Sequence, residues 1–385
     1  MQRPARGRVQ DVPSKARWRG GLLHLSNRIL ASRRFQRWAA AFPLTRPVAR
    51  RRSRALFDLV AGFVYSQVLY VCVRLDVLGH VHREGPQTPA QLAAWMEMPE
   101  ENALVLVKAA CALGLLQPFG RGRYGLGMHG AAMMAHPGIP AMVAHHAMLY
   151  DDLRDPVALF RGEAGETRLG AYWAYAGGRS PAELAGDQVT PYTELMSVSQ
   201  QLVAEEILDA FTPRGYRRLM DLGGGNATFL TAVGARVPEI QLVLYDLPAV
   251  AEQGRRRLES AGLGARARIV RGDFFRDPLP PGADLISLVR VVHDHDDADI
   301  LGLLRAARQA LEPGGALLLA EPMAGTPGAE PMGDAYFGVY LFAMGSGRPR
   351  TPGELEDLLR RAGFSQVRLL STRNPLLTRV MLAEP

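Results

Sequence analysis

From Arg217 to the end of the chain, short apolar runs alternate with longer stretches in which apolar and polar positions recur at the helical period. The runs at 217–222, 241–246, 266–271, 284–289, 316–321, 366–372 and 376–383 predict strands. Strands of this kind, separated by amphipathic helices, belong to a parallel sheet covered on both faces. The expected fold class is α/β: a doubly wound, Rossmann-like, seven-stranded domain. Pro313-Gly314-Gly315 reads as the turn into the fifth strand. Thr351-Pro352-Gly353-Glu354 reads as the capped start of the last major helix.

Upstream the pattern is helical. Ala55–Val73 is the longest apolar run, but Asp58 and Gln67 interrupt it and Arg74 follows at once. It therefore predicts a helix buried in a core or a subunit interface rather than a membrane span. Residues 88–134 predict a winged-helix unit: a short helix from Thr88-Pro89 to Trp95, a second from Glu100 to Leu116, and a small hairpin over Gly120–Leu126. The second helix opens Glu100-Glu101-Asn102-Ala103-Leu104-Val105-Leu106-Val107-Lys108, with a single lysine. Too little charge is available there to neutralise phosphates, which excludes nucleic acid as a partner. Farther upstream, Ser26–Phe42 predicts an amphipathic helix with Leu25, Phe35, Trp38 and Phe42 on one side and Arg33, Arg34 and Arg37 opposite. It is either a partner-packed extension or a helix lying in a membrane interface.

Charge sharpens that picture. The chain has a net charge of +7, yet residues 1–54 hold 15 Lys/Arg against one acid, Asp11, and the remainder holds 30 against 37. The basicity belongs to an arm, and the folded body is mildly acidic. A length of 385 residues divides into the arm (1–54), a winged-helix dimerisation domain (55–150), a helical linker with substrate-pocket helices (151–212) and a catalytic domain (213–385). Only Cys72 and Cys111 are present, both in apolar runs, which fits a reducing compartment. No signal peptide is evident, so the expected location is cytoplasmic, with peripheral contact to a membrane through the arm.

The chemistry concentrates at strand ends. The first strand ends in Asp221-Leu222-Gly223-Gly224-Gly225-Asn226-Ala227, where glycines let the chain turn tightly and let a ligand approach the backbone. A dinucleotide is the obvious competitor. An acid just before the glycines instead suits the ammonium of S-adenosylmethionine, which favours that cofactor. Asp246, beside Leu247 at the end of the second strand, can accept both ribose hydroxyls, and Gly272-Asp273-Phe274-Phe275 can hold and flank an adenine. After the fourth strand comes Arg290-Val291-Val292-His293-Asp294-His295-Asp296-Asp297. A hydroxyl attacks a sulfonium methyl well only if its proton leaves, and His293 is a suitable general base. Glu321, at the end of the next strand, is the expected acceptor that orients the ring. The His/Asp cluster could alternatively bind a metal, but Asp296 and Asp297 open the following helix, so none is expected.

These residues resemble the plant-type small-molecule O-methyltransferases, which include caffeate, flavonoid and acetylserotonin enzymes. The likeness covers roughly residues 55–384 and is most specific in Asp221–Ala227, Tyr245–Pro248, Gly272–Phe275, Arg290–Asp297 and Arg350–Phe364. It implies a metal-free homodimer with an N-terminal winged-helix dimerisation domain. Gly223, Gly225, Asp246, Asp273, Phe274 and Arg290 would bind the cofactor, His293 would be the base, and Glu321 would hold it. Tyr192, Met196, Tyr340 and Met344 would line the pocket for a lipophilic hydroxylated substrate. The chain departs from the pattern at Ala227, where a glycine is usual, at His295, usually tryptophan, and at Pro349, where a second carboxylate usually flanks the histidine. The arm, with Arg34-Phe35-Gln36-Arg37-Trp38 and Pro43-Leu44-Thr45-Arg46-Pro47, is similar to the carotenoid branch in purple phototrophic bacteria. Members of that branch methylate the tertiary hydroxyl of acyclic hydroxycarotenoids. A phenolic or polyketide hydroxyl is the alternative acceptor, and a ligand-sensing winged-helix regulator is the alternative of another class.

Overall fold

The structure, a computed structural model, describes residues 24–136, 138–172 and 200–385. The chain falls into two compact units, Met1–Val71 and Cys72–Pro385.

In the first unit, the helix expected over Ser26–Phe42 is broken. Residues 24–30 are helical, and a second helix, α1 (Arg33–Ala41), starts after Ser32, whose hydroxyl accepts from the Phe35 N–H at 3.5 Å. A serine that can take a free backbone donor favours a helix start over a helix interior. Phe35, Trp38 and Phe42 do share one side, with ring centroids 5.7 and 5.3 Å apart. The long α2 (Arg46–Arg74) begins well before the apolar run. Its apolar side chains are not in a core: Leu56, Phe57, Leu59, Val60 and Phe63 are all exposed, and Cys72 is its one buried residue. Among the described residues it is the one helix long and apolar enough to cross a membrane.

The second unit opens with α3 (Val77–Glu84), α4 (Pro89–Trp95) and α5 (Glu100–Ala112), followed by the antiparallel pair β1 (Leu116–Gly120) and β2 (Arg123–Leu126). Thr88 and Gln91 form the reciprocal cap of α4. Helix α5 stops four residues short of the expected Leu116, because Gly114 turns the chain at φ +70° into β1. Then come α6 (Met128–Met134), α7 (Gly138–Asp152), α8 (Pro156–Phe160) and α9 (Arg168–Tyr172).

The C-terminal half holds β3 (Arg218–Leu222), α10 (Thr228–Arg236), β4 (Gln241–Asp246), α11 (Pro248–Ser260), β5 (Ala267–Arg271), β6 (Ala283–Val289), α12 (Asp297–Ala310) and β7 (Leu311–Glu321). A π-helix (Pro331–Phe337), α13 (Gly338–Met344), α14 (Pro352–Ala362), β8 (Gln366–Leu370) and β9 (Arg379–Glu384) complete it. The sheet order is β5-β4-β3-β6-β7-β9-β8. Six of the seven strands run the same way, but β9 lies antiparallel between β7 and β8, so the sheet is mixed rather than all parallel. The connection from β8 to β9 is too short for the crossover that a parallel return needs. Pro313-Gly314-Gly315 lies inside β7 as an irregularity, where the pairing shifts between Ala283 and Leu285, instead of forming a turn before it.

Alternate residues of the central strands feed two cores. Met220, Val243 and Ile286 pack with Ile300, Leu304, Leu355 and Leu359 on one face. Leu219, Leu242 and Leu285 pack with Ile207, Phe229, Leu230 and Val233 on the other. Strand order reverses between β3 and β6, and open α/β sheets bind ligands at the carboxyl edge of such a reversal. Asp221, Asp246, Arg290 and Glu321 all stand at that edge.

Candidate active site

The loop from β3 to α10 turns on three positive-φ residues: Gly223 at +67°, Gly225 at +60° and Ala227 at +62°. At Ala227 the left-handed backbone strains an L-residue by about 1–2 kcal/mol, which explains why glycine is usual there. Beneath the loop Asp221 is buried. Its Oδ1 accepts from the Ser287 hydroxyl at 2.6 Å, and its Oδ2 has no hydrogen-bond partner. Burial pushes its pKa up to about 7, against the lowering effect of Ser287 and with help from the Asp246 charge. Asp246 binds the loop to β4: one carboxylate oxygen accepts from the Gly225 N–H and the other from the Leu247 N–H, both at 2.7 Å. Burial lifts it to about 7 as well, opposed by those two backbone bonds.

The third strand end joins them. A side chain added at Gly223 would meet Val291 at 3.0 Å and the Phe274 ring at 3.4 Å, so the glycine loop, the β5 end and the β6 end converge. Asp273 Oδ1 accepts from the Phe275 N–H at 3.0 Å. Phe274 and Phe275 meet edge-on at 4.6 Å, and both pack against His295, which stands where tryptophan is usual.

Beyond β6, Arg290 takes φ +57°, a conformation uncommon for a residue with a long side chain. A single 3₁₀ turn, Val292–Asp294, then carries His293, which is 5% exposed. Glu321 Oε2 lies 3.4 Å from His293 Nδ1, within ion-pair range, though neither atom is aligned as a hydrogen bond. The tighter partner is one that the sequence did not single out: Asp294 Oδ1, 3.1 Å from Nε2. Burial alone would lower the ring's pKa, but the charge and hydrogen bond of Asp294, joined by Glu321, raise it to about 9. Besides Glu321, Asp294 is thus a second acid within ion-pair range of the ring, on its other nitrogen.

His293 opens on a small cavity lined by Met142, Arg290, Asp294, Tyr336, Phe337, Tyr340 and Leu341. Tyr340 was expected here. Met344 is not among the lining residues: it is buried with Leu149, Leu159 and Leu169 in a helical cluster. Tyr192 and Met196 lie outside the described residues. The cavity wall also holds two cross-links that sequence reasoning missed. His145 Nε2 is 2.7 Å from the Tyr340 hydroxyl, and His146 Nε2 is 2.6 Å from the Tyr336 hydroxyl. Burial, with the neighbouring His146, lowers His145 to about 4, and burial lowers His146 too, so both rings are neutral at pH 7. The signal was available: adjacent histidines inside the apolar helix α7 need buried partners.

An O-methyltransferase domain model matches residues 150–365, more than half of the chain and all of the site residues described above except Met142, His145 and His146. The chain belongs to the O-methyltransferase family. It is 44% identical over 366 residues to demethylspheroidene O-methyltransferase of Cereibacter sphaeroides, covering 94% of this chain and 95% of that protein. The enzyme of that name from Rhodobacter capsulatus is 40% identical over 376 residues, covering 98% and 93%. Acetylserotonin O-methyltransferase of Mus musculus is 33% identical, covering 84% and 87%. Among solved structures, the pyocyanin biosynthetic protein PhzM superposes with a TM-score of 0.71 at 25% identity, covering 86% of this chain and 98% of its own. Human N-acetylserotonin methyltransferase in complex with S-adenosylmethionine gives 0.68 at 22%, covering 86% and 97%, a likeness of fold.

The methyltransferase depends on S-adenosylmethionine, and the residues present fit that group. The partnerless Asp221 oxygen suits a cationic ligand, and at Gly224 the loop leaves no room for a side chain, since a Cβ there would lie 2.7 Å from that oxygen. Among the described residues no three His, Cys, Asp or Glu side chains are grouped to hold a metal.

Proposed function

We propose that this methyltransferase methylates the tertiary hydroxyl of an acyclic hydroxycarotenoid, with His293 as general base. One observation carries the substrate class: identity of 40–44% over almost the whole chain with two proteins named for demethylspheroidene. Asp221, Gly223, Gly225, Asp246, Leu247, Asp273, Phe274 and Arg290 would hold S-adenosylmethionine, which when bound supplies an electrophilic sulfonium methyl. His293 takes the hydroxyl proton at Nε2, the nitrogen now facing Asp294, while Glu321 steadies Nδ1. A tertiary alcohol is far less acidic than a phenol, so the imidazole removes the proton during attack and not before it. Much of the rate then comes from alignment in a water-poor cavity.

The remaining parts have roles consistent with this substrate. Residues 55–150 serve as the dimerisation domain, with the apolar side of α2 against a second copy. Residues 151–212 help to line the pocket, and 213–385 form the catalytic domain. The basic arm draws the enzyme to the anionic cytoplasmic face of a membrane, where the substrate is dissolved; each nearby Lys or Arg contributes about 1 kcal/mol. The 33% relative acts, by its name, on acetylserotonin, which keeps aromatic hydroxyls as the second reading. Purified enzyme with labelled S-adenosylmethionine should methylate hydroxycarotenoids in detergent far faster than phenols. Label transferred to phenols alone would replace the proposed acceptor.

A further inference from the structure

The segment 346–350, between α13 and α14, carries no role in the chemistry described so far, yet it holds the turn that bears the base. Arg350 is fully buried, with 0% exposure. Its Nη1 donates to the Val292 carbonyl at 2.7 Å, its Nη2 to the His295 carbonyl at 2.7 Å, and its Nε to Asp297 Oδ1 at 2.8 Å. The two carbonyls bracket His293. Those between them are taken by the same segment: the Arg348 N–H donates to the His293 carbonyl at 2.9 Å, and the Ser346 hydroxyl to the Asp294 carbonyl at 2.6 Å. Four consecutive carbonyls, from Val292 to His295, thus find donors within five residues. Gly347 permits the close approach, since a Cβ there would lie 2.1 Å from the His293 carbonyl oxygen. The same arginine is also tied to the chain that follows Glu321, because the Ala324 N–H, three residues beyond Glu321, donates to the Arg350 carbonyl at 2.9 Å.

We propose that Arg350 is the positioning residue of the catalytic base, fixing the His293 turn and the Glu321 strand end in one frame through its guanidinium and its own carbonyl. The inference rests on His293 being the base. A guanidinium suits this role because its rigid fork of donors satisfies three acceptors at once, and no other side chain has that geometry. Two of the three side-chain bonds of Arg350 go to the carbonyls on either side of the base, and the third goes to Asp297 at the start of the helix that follows.

The test is a double-mutant cycle on the full-length enzyme, measured as single-turnover rate, cofactor affinity and pH profile. Arg350→Lys should cut the rate about 10–100-fold, the scale of an ångström-sized misplacement, with cofactor affinity nearly unchanged. Combined with His293→Ala, it should cost less than about threefold more, because the group it positions is already gone. A loss that is equal in both backgrounds would overturn the proposal, as would a loss of cofactor binding matching the loss of rate. If His293→Ala itself is silent, the base assignment fails and the cycle shows it separately. Should Arg350→Lys not fold, Ser346→Ala removes one of the four donors, and its rate loss must likewise vanish in the His293→Ala background.

Discussion

Two carboxylates flank the His293 ring, and they should leave different marks on the pH profile. Asp294, nearer at 3.1 Å, lifts the ring to about 9 against the effect of burial, so in the resting enzyme the ring is largely cationic at neutral pH. Only the neutral fraction can accept a proton, so kcat/KM should climb with pH and level off near 9. In Asp294→Asn that limb should fall toward the ordinary imidazole value of about 6.5; a limb that stays put would free Asp294 from the role. The same pairing stabilises the fold. With its folded pKa above the unfolded one, the protonated ring contributes fully below about 6.5, and the contribution is gone above about 9. Asp221 and Asp246 are raised to about 7 by burial, so the stability that they confer as neutral acids is lost between about pH 4 and 7. A cation on the glycine loop favours their ionised forms. Cofactor affinity should therefore strengthen from pH 6 to 8, and Asp246→Ala should weaken it by one to two orders of magnitude, about the 1.5–3 kcal/mol of hydrogen bonds to a charged group. Calorimetry showing wild-type affinity in that variant would remove Asp246 from the cofactor site.

Between elements, helix α7 is joined to the π-helix and α13 by the two histidine–tyrosine bonds, which form one wall of the cavity. Replacing His146 by Phe alone strands the Tyr336 hydroxyl and should cost about 1–3 kcal/mol in denaturant unfolding. Replacing both residues by Phe should recover most of that loss; a double variant as unstable as the single would show that shape, not hydrogen bonding, holds the wall. These links were beyond the reach of a linear reading because the partners stand 190 and 195 residues apart, whereas strands and caps are written in neighbouring positions. All seven strands of the main sheet were legible for that reason, and so were the Thr88 and Thr351 caps. The antiparallel β9 was legible too, had the short β8–β9 connection been weighed. Asp294 was missed because nothing in the sequence sets it apart from the neighbouring Asp296 and Asp297, and the 3₁₀ turn is what brings its carboxylate to within 3.1 Å of Nε2. Ser32 breaks the arm helix for a reason present in the sequence, but its preference for a cap competes with a continuous apolar face that argued the other way.

At the scale of the whole molecule, charge and apolar surface are separated along the chain. Residues 1–54 are strongly basic, and the rest is mildly acidic. Deleting residues 1–50 should leave turnover on detergent-dispersed substrate unchanged while lowering binding to anionic vesicles, and added salt should mimic the deletion. Equal vesicle binding by the two proteins would reassign the arm to packing.

The exposed side of α2 has a further consequence, for how this enzyme behaves in a test tube. Leu59 at 81% and Phe63 at 73% exposure are apolar side chains that the proposed second copy would cover. Whatever supplies that cover binds the native form, and mass action then links folding to its concentration: for a second copy, each tenfold dilution removes about 1.4 kcal/mol. Dilution should therefore act as a mild denaturant, lowering the melting temperature and hastening loss of activity, and detergent micelles should partly reverse it. A melting temperature that ignores protein concentration over two orders of magnitude would show that each chain stands alone.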